Sequence, residues 1–479
     1  MSPPSSYYWH DYETWGAQPA VDRPAQFAGL RTDMDFNPIG EPLVVYARPA
    51  DDFLPQPEAC LITGITPQLA REKGAPEADF FRFIHDELAR PGTCALGYNS
   101  MRFDDEVTRY GLYRNFFDPY AREWQNGNSR WDLIDVVRLT RALRPEGIEW
   151  PEREPGVTSF RLEELTAANG IEHAGAHDAL VDVRATIALA RLVRERQPRL
   201  FDFAFHNRDK RKLAAQLNVR AAQPVLHVSA RYPAVLVCIA TVVPLAMHPT
   251  NRNGVIVYDL RADPGSLLAL SADEIRTRLY TATADLAEGE GRIPLKVVHL
   301  NRSPVIAPMA TLTEAARECW QMDAVAEQAH LQVLRNARGL AEKLAEVFAD
   351  ADRFPPQTDP DRDLYGGFLS DADRRRCDQV RASSPEDLAA LQPAFEAPKL
   401  HELLFRYRAR NWPQTLNRDE RARWEEFRRA RLTEPDAGGS ITLGDYRRQL
   451  SRLAVDLSLS EHQRAVVDAL IDWPTELGL

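Results

Sequence analysis

The sequence predicts a mixed α/β domain at the N-terminus, a small β-rich domain with helical insertions in the middle, and a C-terminal all-helical domain. Three observations carry this. Residues 9–49 hold three short strand-like runs separated by turn residues, and residues 80–196 then alternate helix-period and strand-like segments. Residues 224–306 are rich in β-branched side chains. Residues 361–479 keep helical spacing with dense charge alternation.

Taken in order, WHDYETW, FAGLRTD and LVVYARP (9–15, 27–33, 43–49) read as strands. FFRFIHDELAR (80–90) spaces its apolar residues as a helix does, and CALGYN (94–99) is a short buried strand ending in polar residues. DDEVTRYGLYRNFF (104–117), RWDLIDVVRLTRAL (130–143) and AHDALVDVRATIALARLVRER (176–196) read as helices. Sequential strands followed by alternating helices and strands imply a mixed sheet covered by helices. Gln197-Pro198 ends the last helix, and RLFDFAFHNRDKRKLAAQL is a basic, aromatic connector. PVLHVSARY, AVLVCIATVV, GVIVYDL and LKVVHLNRSPVIA suggest a small β-barrel, followed by a helical stretch over 313–350. Pro and Asp cluster at FPPQTDPDRD, which reads as a linker. The expected bounds are 1–197, 198–350, a linker at 351–360, and 361–479.

The chain has 479 residues, enough for two to four domains, and 44% of them are hydrophobic, enough for ordinary cores. No apolar run approaches the length of a membrane span, and MSPPSSYYWHDYE lacks a basic-then-apolar leader pattern, so a cytoplasmic protein is expected. The five cysteines are scattered without a CxxC pair, which argues against a zinc site or a disulfide framework. A net charge of −11 disfavours phosphate binding by the chain as a whole. That objection weakens if the acids serve a metal and the cations are local.

Acids of this kind have a chemical use. Phosphodiester hydrolysis needs a water deprotonated near neutral pH and charge offset at the leaving oxygen. Two Mg²⁺ ions about 3.5–4 Å apart meet both needs. Mg²⁺ takes carboxylate oxygens, so such a site draws Asp and Glu from several elements. Asp11 and Glu13 lie two apart on a strand and share a face. A D-x-E alone is weak, since solvated acids are the rule and Asp104-Asp105-Glu106 contains another. Asp104 opens a helix just after the strand that ends near Asn99, where an N-cap acid is also sensible. In the last helix, His177 and Asp182 form an H-x4-D that overlaps a second one, His173 and Asp178. Asp178 suits the N-cap, while Asp182, one turn inside, can face the sheet. Position therefore favours His177–Asp182.

In this order, Asp11-x-Glu13, Asn99…Asp104 and His177-x4-Asp182 resemble the motifs of DEDD exonucleases with a histidine base, a superfamily with a ribonuclease-H-like fold. Longer phrases, among them WHDYETWG, GYNSMRFDDEVTRYGLYRNFFDPYAREW, SFRLEELTAANGIEHAGAHDALVDVRATIALA, LYGGFLSDADR and LLFRYRARNWPQTL, are similar to the bacterial exodeoxyribonuclease I family over nearly the full chain. The resemblance implies a DnaQ-like exonuclease domain, an SH3-like β domain with helices and a C-terminal helical domain. It further implies processive 3′-to-5′ digestion of single-stranded DNA to 5′-mononucleotides in repair and recombination. In that reading Asp11 bridges two Mg²⁺ ions, for which Mn²⁺ substitutes, and Glu13, Asp104 and Asp182 complete the shells. His177 is the general base, and Glu13 also reaches the terminal 3′ hydroxyl. Thr63-Gly64-Ile65-Thr66 resembles the segment that receives the terminal nucleotide.

Single strands are held by cationic grooves with interleaved aromatics. Arg109, Tyr113, Arg114, Tyr120, Arg122, Trp124 and Arg130 have that composition, against a competing reading of the aromatics as core. The resemblance picks out Arg109, Tyr120, Trp124 and Arg138 as strand contacts, and Arg161 as a substrate contact that competes with an ion pair to Glu163 or Glu164. Lys210 stands out in the basic connector. The resemblance also implies docking of the acidic, Phe-ended tail of single-stranded-DNA-binding protein, with Arg144 and Arg335 as contributors, and a monomer. Two other readings stay open: an RNA-directed exonuclease of the oligoribonuclease type, and a recruitment module with an inactive site.

Overall fold

The structure is a computed structural model that describes residues 4–173, 175, 177–349 and 357–479. The chain opens with β1 (Ser6–Thr14), β2 (Pro24–Thr32) and β3 (Leu43–Tyr46), then α1 (Pro57–Thr63), α2 (Pro67–Lys73) and α3 (Glu77–Leu88). Next come β4 (Thr93–Gly97), α4 (Asp104–Arg114), β5 (Ser129–Asp132), α5 (Leu133–Leu143), a hairpin of β6 (Glu152–Glu154) and β7 (Val157–Thr158), α6 (Leu162–Ala168) and α7 (Ala179–Arg196). The first sheet has the order β3-β2-β1-β4-β5. β1 runs antiparallel to β2 and parallel to β4, which makes it the central strand. Its four aromatic side chains suit that place, because a central strand is covered on both faces.

The chain divides into two compact units. One comprises Met1–Arg130, His173–Ile187 and Pro356–Leu479; the other comprises Trp131–Glu172 and Ala188–Pro355. In the first unit, Phe80, Phe81, Ile84 and Leu88 of α3 bury one face with Tyr8, Tyr12 and Phe27 of the sheet and Val107 and Leu112 of α4. Each such ring or branched chain contributes about 1.5–3 kcal/mol on burial. Gly111 is required in α4: a Cβ there would stand 1.8 Å from the Phe81 ring.

The C-terminal helices of the first unit pack on its N-terminal part through two further cores. Trp15, Phe53 and Cys60 meet Tyr446, Leu450, Leu470 and Trp473, and Tyr110, Tyr113 and Phe116 meet Leu364, Val380, Leu403 and Tyr407. Buried ion pairs cross the same boundary. Arg410, on the helix Lys399–Asn411, lies 2.8 Å from Asp52 and 2.5 Å from Asp361, and Arg23 lies 3.7 Å from Asp361. Arg410 and Arg431 hold the Asp52 carboxyl down at about 2, although burial opposes them.

In the second unit, α8 (Pro198–Asn207) and α9 (Lys210–Gln216) precede five antiparallel strands: β8 (Val225–Val228), β9 (Ile239–Met247), β10 (Gly254–Asp259), β11 (Leu295–His299) and β12 (Val305–Pro308). Their order is β11-β10-β9-β8-β12. Helices Glu314–Cys319, Ala324–Asn336 and Leu340–Phe348 follow.

The α/β, β-rich and helical segments appear where the sequence places them. Details differ. The helix expected over 130–143 starts only at Leu133, because Asp132 caps it by accepting from Ile134 N–H, and the residues before it form the fifth strand of the sheet. The connector after Gln197 is two helices, each with its own start signal, Pro198 at N1 and Asp209 as N-cap. The strand expected to begin at Ala234 begins at Ile239, since Val237 and Cys238 adopt positive φ. Most of the linker expected over 351–360 lies outside the described residues; its end, from Pro360, is a short 3-10 helix. Four cysteines are buried and Cys319 is exposed, all as free thiols.

Candidate active site

The site belongs to the first unit and starts on β1. Asp11 pairs across β2 with Ala28, and Glu13 with Gln26, so both acids point to one face of the central strand. Asp104 is the first residue of α4, yet it does not cap it. Its Oδ1 accepts from Tyr12 N–H at 3.2 Å, which turns the carboxylate to the strand between the two acids. The Tyr12 hydroxyl meets Thr108 Oγ1 at 2.9 Å, and Thr108 donates to Asp104 O, so α4 is tied to β1 at two levels.

The fourth acid comes from α7. Asp178 is its N-cap, as its position in the sequence suggests: Oδ1 accepts from Leu180 N–H at 3.1 Å and Val181 N–H at 3.3 Å. That places Asp182 in the first turn. Glu13, His177 and Asp182 each bring a donor atom within 4.8 Å of the others. His177 is exposed, on the loop before α7, with φ 71°. His173, the other histidine of the overlapping patterns, brings its Nε2 to 2.6 Å from Asp182 Oδ1, with its side chain only 6% exposed. Asp182 is therefore flanked by both histidines. Of the two overlapping H-x4-D patterns, neither pairing describes the local contacts alone.

The electrostatics of this group are those of acids without an internal cation. Burial first, then Asp104, Glu13 and Asp182, raise the Asp11 carboxyl well above its usual range. Burial, then Asp182, Asp104 and Asp178, push Glu13 up to about 9. Like charges held this close are costly unless a cation offsets them. A cluster of hard carboxylate oxygens with one imidazole fits a divalent ion such as Mg²⁺ or Mn²⁺.

The residues expected along a DNA groove are scattered in character. Trp124 is 64% exposed and Tyr120 is half-buried, with the Arg109 guanidinium 5.4 Å over its ring. Arg109 itself is buried and paired with Glu106 and Glu123. Tyr113, Arg114, Arg122 and Arg130 are interior, which corrects the groove reading for these four. The reason is Asp105, the middle acid of the DDE run. It is buried, and Arg122 and Arg130 each approach it at 2.6 Å, holding its carboxyl well below the usual range. Arg114 pairs with Glu77. In the second unit, Arg138 is buried against Asp135 at 2.6 Å, Arg161 is 63% exposed and 3.5 Å from Glu164, and Lys210 is exposed at the start of α9. Arg144 donates to Thr311 O and Arg335 to Ala222 O. Gly64, at the end of α1, has φ 70°, and Thr66 caps α2, so Thr63–Thr66 is a tight inter-helix turn.

Three family models match in sequence: exonuclease over residues 8–190, exonuclease I SH3-like domain over 208–350, and exonuclease I C-terminal domain over 358–477. Exodeoxyribonuclease I of Escherichia coli (strain K12) is 49% identical, covering 99% of this chain and 98% of its own. The chain belongs to the exodeoxyribonuclease I family. A moderately thermophilic exonuclease I from Methylocaldum szegediense superposes with a TM-score of 0.95 at 54% identity, covering 98% of this chain and 99% of that one. The zinc-bound form of the E. coli exonuclease I–single-stranded DNA complex superposes with a TM-score of 0.94 at 48% identity, covering 99% and 100%. The expected fold class, a ribonuclease-H-like exonuclease domain with SH3-like and helical C-terminal parts, is the family's. Among the described residues no helix is long and apolar enough to cross a membrane.

Two features escaped the sequence reading: the arginine pair behind Asp105, and Gln26, which faces the site from β2. The signal for the second was a lone amide in the buried run PAQFAGLRT.

Proposed function

We propose that this chain is a processive 3′-to-5′ exonuclease that hydrolyses single-stranded DNA to 5′-mononucleotides, acting in DNA repair and recombination. The observation that carries this is the convergence of Asp11, Glu13, Asp104 and Asp182 in a chain that matches its exonuclease relatives end to end. Asp11, Glu13, Asp104 and Asp182 would hold two Mg²⁺ ions, Asp11 serving both. When bound, the ions acidify water and offset charge on the phosphoryl and leaving oxygens. His177 takes the proton of the attacking water at a ring nitrogen, and its exposed loop position leaves it room to reach substrate. His173, buried against Asp182, fixes the orientation of that carboxylate. Glu13 also receives the terminal 3′ hydroxyl.

Trp124 and Tyr120 offer ring faces for stacking, and Arg161 and Lys210 offer exposed cations for phosphates. Arg109 and Arg138 contribute from positions already fixed by Glu123 and Asp135. Arg144 and Arg335 receive the acidic tail of single-stranded-DNA-binding protein, and the enzyme works as a cytoplasmic monomer.

The test is a digest of one oligonucleotide labelled at its 3′ or 5′ end, as DNA and as RNA, with Mg²⁺ or EDTA. The expected result is immediate loss of the 3′ label from DNA, abolished by EDTA. Loss of the 5′ label first, or cleavage in EDTA, overturns the reading. Equal cleavage of RNA replaces it with the RNA-directed alternative.

A further inference from the structure

We infer that Gln26 is a positioning residue that clamps the helix carrying Asp182 to the strand beside Glu13, and so sets the spacing of the metal-binding acids. This deepens the proposed function and rests on it.

Gln26 is 1% exposed, near the start of β2 and directly across from Glu13. Cross-strand partners share a face, so its side chain points where Glu13 points. There its amide makes two hydrogen bonds to the start of α7. Oε1 accepts from Ala179 N–H at 3.1 Å, and Nε2 donates to Asp178 Oδ2 at 3.4 Å. The other oxygen of Asp178 caps the helix, and Asp182 N–H donates to Asp178 O at 3.1 Å. A continuous hydrogen-bonded path thus runs from the residue opposite Glu13 to the backbone of Asp182.

The chemistry of the side chain is specific. The first-turn N–H needs an acceptor, and Asp178 needs a donor. An amide offers both without charge. Glutamate would accept from Ala179 but repel Asp178 and Glu13, while an apolar residue of the same length would leave a buried N–H unmet. Donor oxygens from two elements far apart in sequence must be held to about 0.5 Å for a metal site to form. Gln26 is the sheet's handle on one of them.

The test compares Gln26→Met, Gln26→Glu and the polarity swap Gln26→Glu/Asp178→Asn. In the swap, the new amide donates to the new carboxylate, which still accepts from Ala179. Four quantities are read: kcat and KM on single-stranded DNA, the Mg²⁺ concentration giving half-maximal rate, and the Mn²⁺-induced rise in Tm without DNA. For Gln26→Met and Gln26→Glu we expect a fall of about 10–100-fold in kcat and a similar rise in the metal midpoint, with KM moving less. The Mn²⁺-induced rise in Tm should shrink in both and recover in the swap. An unchanged metal midpoint in Gln26→Met, an effect confined to KM, or a swap no better than Gln26→Glu overturns the inference. If the wild-type protein does not cleave DNA, the function reading falls instead, and the Mn²⁺-dependent Tm still decides the clamp.

Discussion

Two groups of acids in the first unit have opposite electrostatics. Asp52, Asp105 and Asp361 are buried and Glu77 is partly buried, and each sits against one or more arginines that pull its pKa down. Asp11 and Glu13 are surrounded mainly by other acids, which push their pKa up. Burial raises the pKa in both groups; the neighbours decide the outcome. Acids paired with arginines complete the structure by themselves. Acids that repel one another wait for a cation from outside, and that is the physical mark separating the candidate site from the scaffold.

The comparison is broken or sharpened by substitution. Asp182→Ala should have the largest effect, a loss of metal-dependent cleavage of at least about 100-fold, the scale of a lost electrostatic contact to a transition state. Binding of single-stranded DNA in EDTA should change little; full residual activity in a nuclease assay would remove Asp182 from the site. Next, His177→Ala should cut turnover by about 10²–10⁴-fold, as expected for a general base, and by more than His173→Ala. The reverse order would exchange their roles.

On the scaffold side, Asp52→Asn should cost about 1–3 kcal/mol, because Arg410 and Arg431 lose one buried counter-charge while keeping Asp361 and Asp359. Denaturant titration checks this. The pH dependence follows from the lowered pKa. Asp52 contributes fully above the unfolded carboxylate value of about 3.9. Its contribution fades as pH falls through its folded value of about 2. Wild type should therefore lose stability on acidification through that window more steeply than Asp52→Asn; parallel curves would contradict the pairing. The smallest effect has the opposite sign. Asp11→Asn removes repulsion and should stabilise the EDTA-treated protein by about 1 kcal/mol, or about 2–4 °C in Tm, while abolishing cleavage. A lower Tm would mean Asp11 is structurally satisfied.

Much of the site was legible in the sequence because it follows short-range rules. Strand period put Asp11 and Glu13 on one face, and capping logic gave Asp178 to the helix end and Asp182 to its first turn. What could not be read depends on partners far along the chain. The run from Arg109 to Arg130 has the composition of a DNA groove, but composition does not reveal that Asp105, Glu77 and Glu123 claim four of its cations. Strand β5 was too short to separate from the helix it precedes. The contact of His173 with Asp182 joins residues nine apart, a spacing that helical periodicity does not pair.

The cores joining the N-terminal and C-terminal stretches bear on how the enzyme can be dissected. A fragment ending at residue 197 keeps every acid of the candidate site but sheds the partners of Trp15, Phe53, Tyr110 and Phe116. It also leaves Asp52 without Arg410 and Arg431, and Glu77 without the screening of Arg410. Such a fragment would expose aromatic surface and strand a buried charge, so recombinant work on the nuclease segment alone should yield aggregates. The C-terminal helices thus cover apolar faces that α1, α4 and the turn after β1 would otherwise expose.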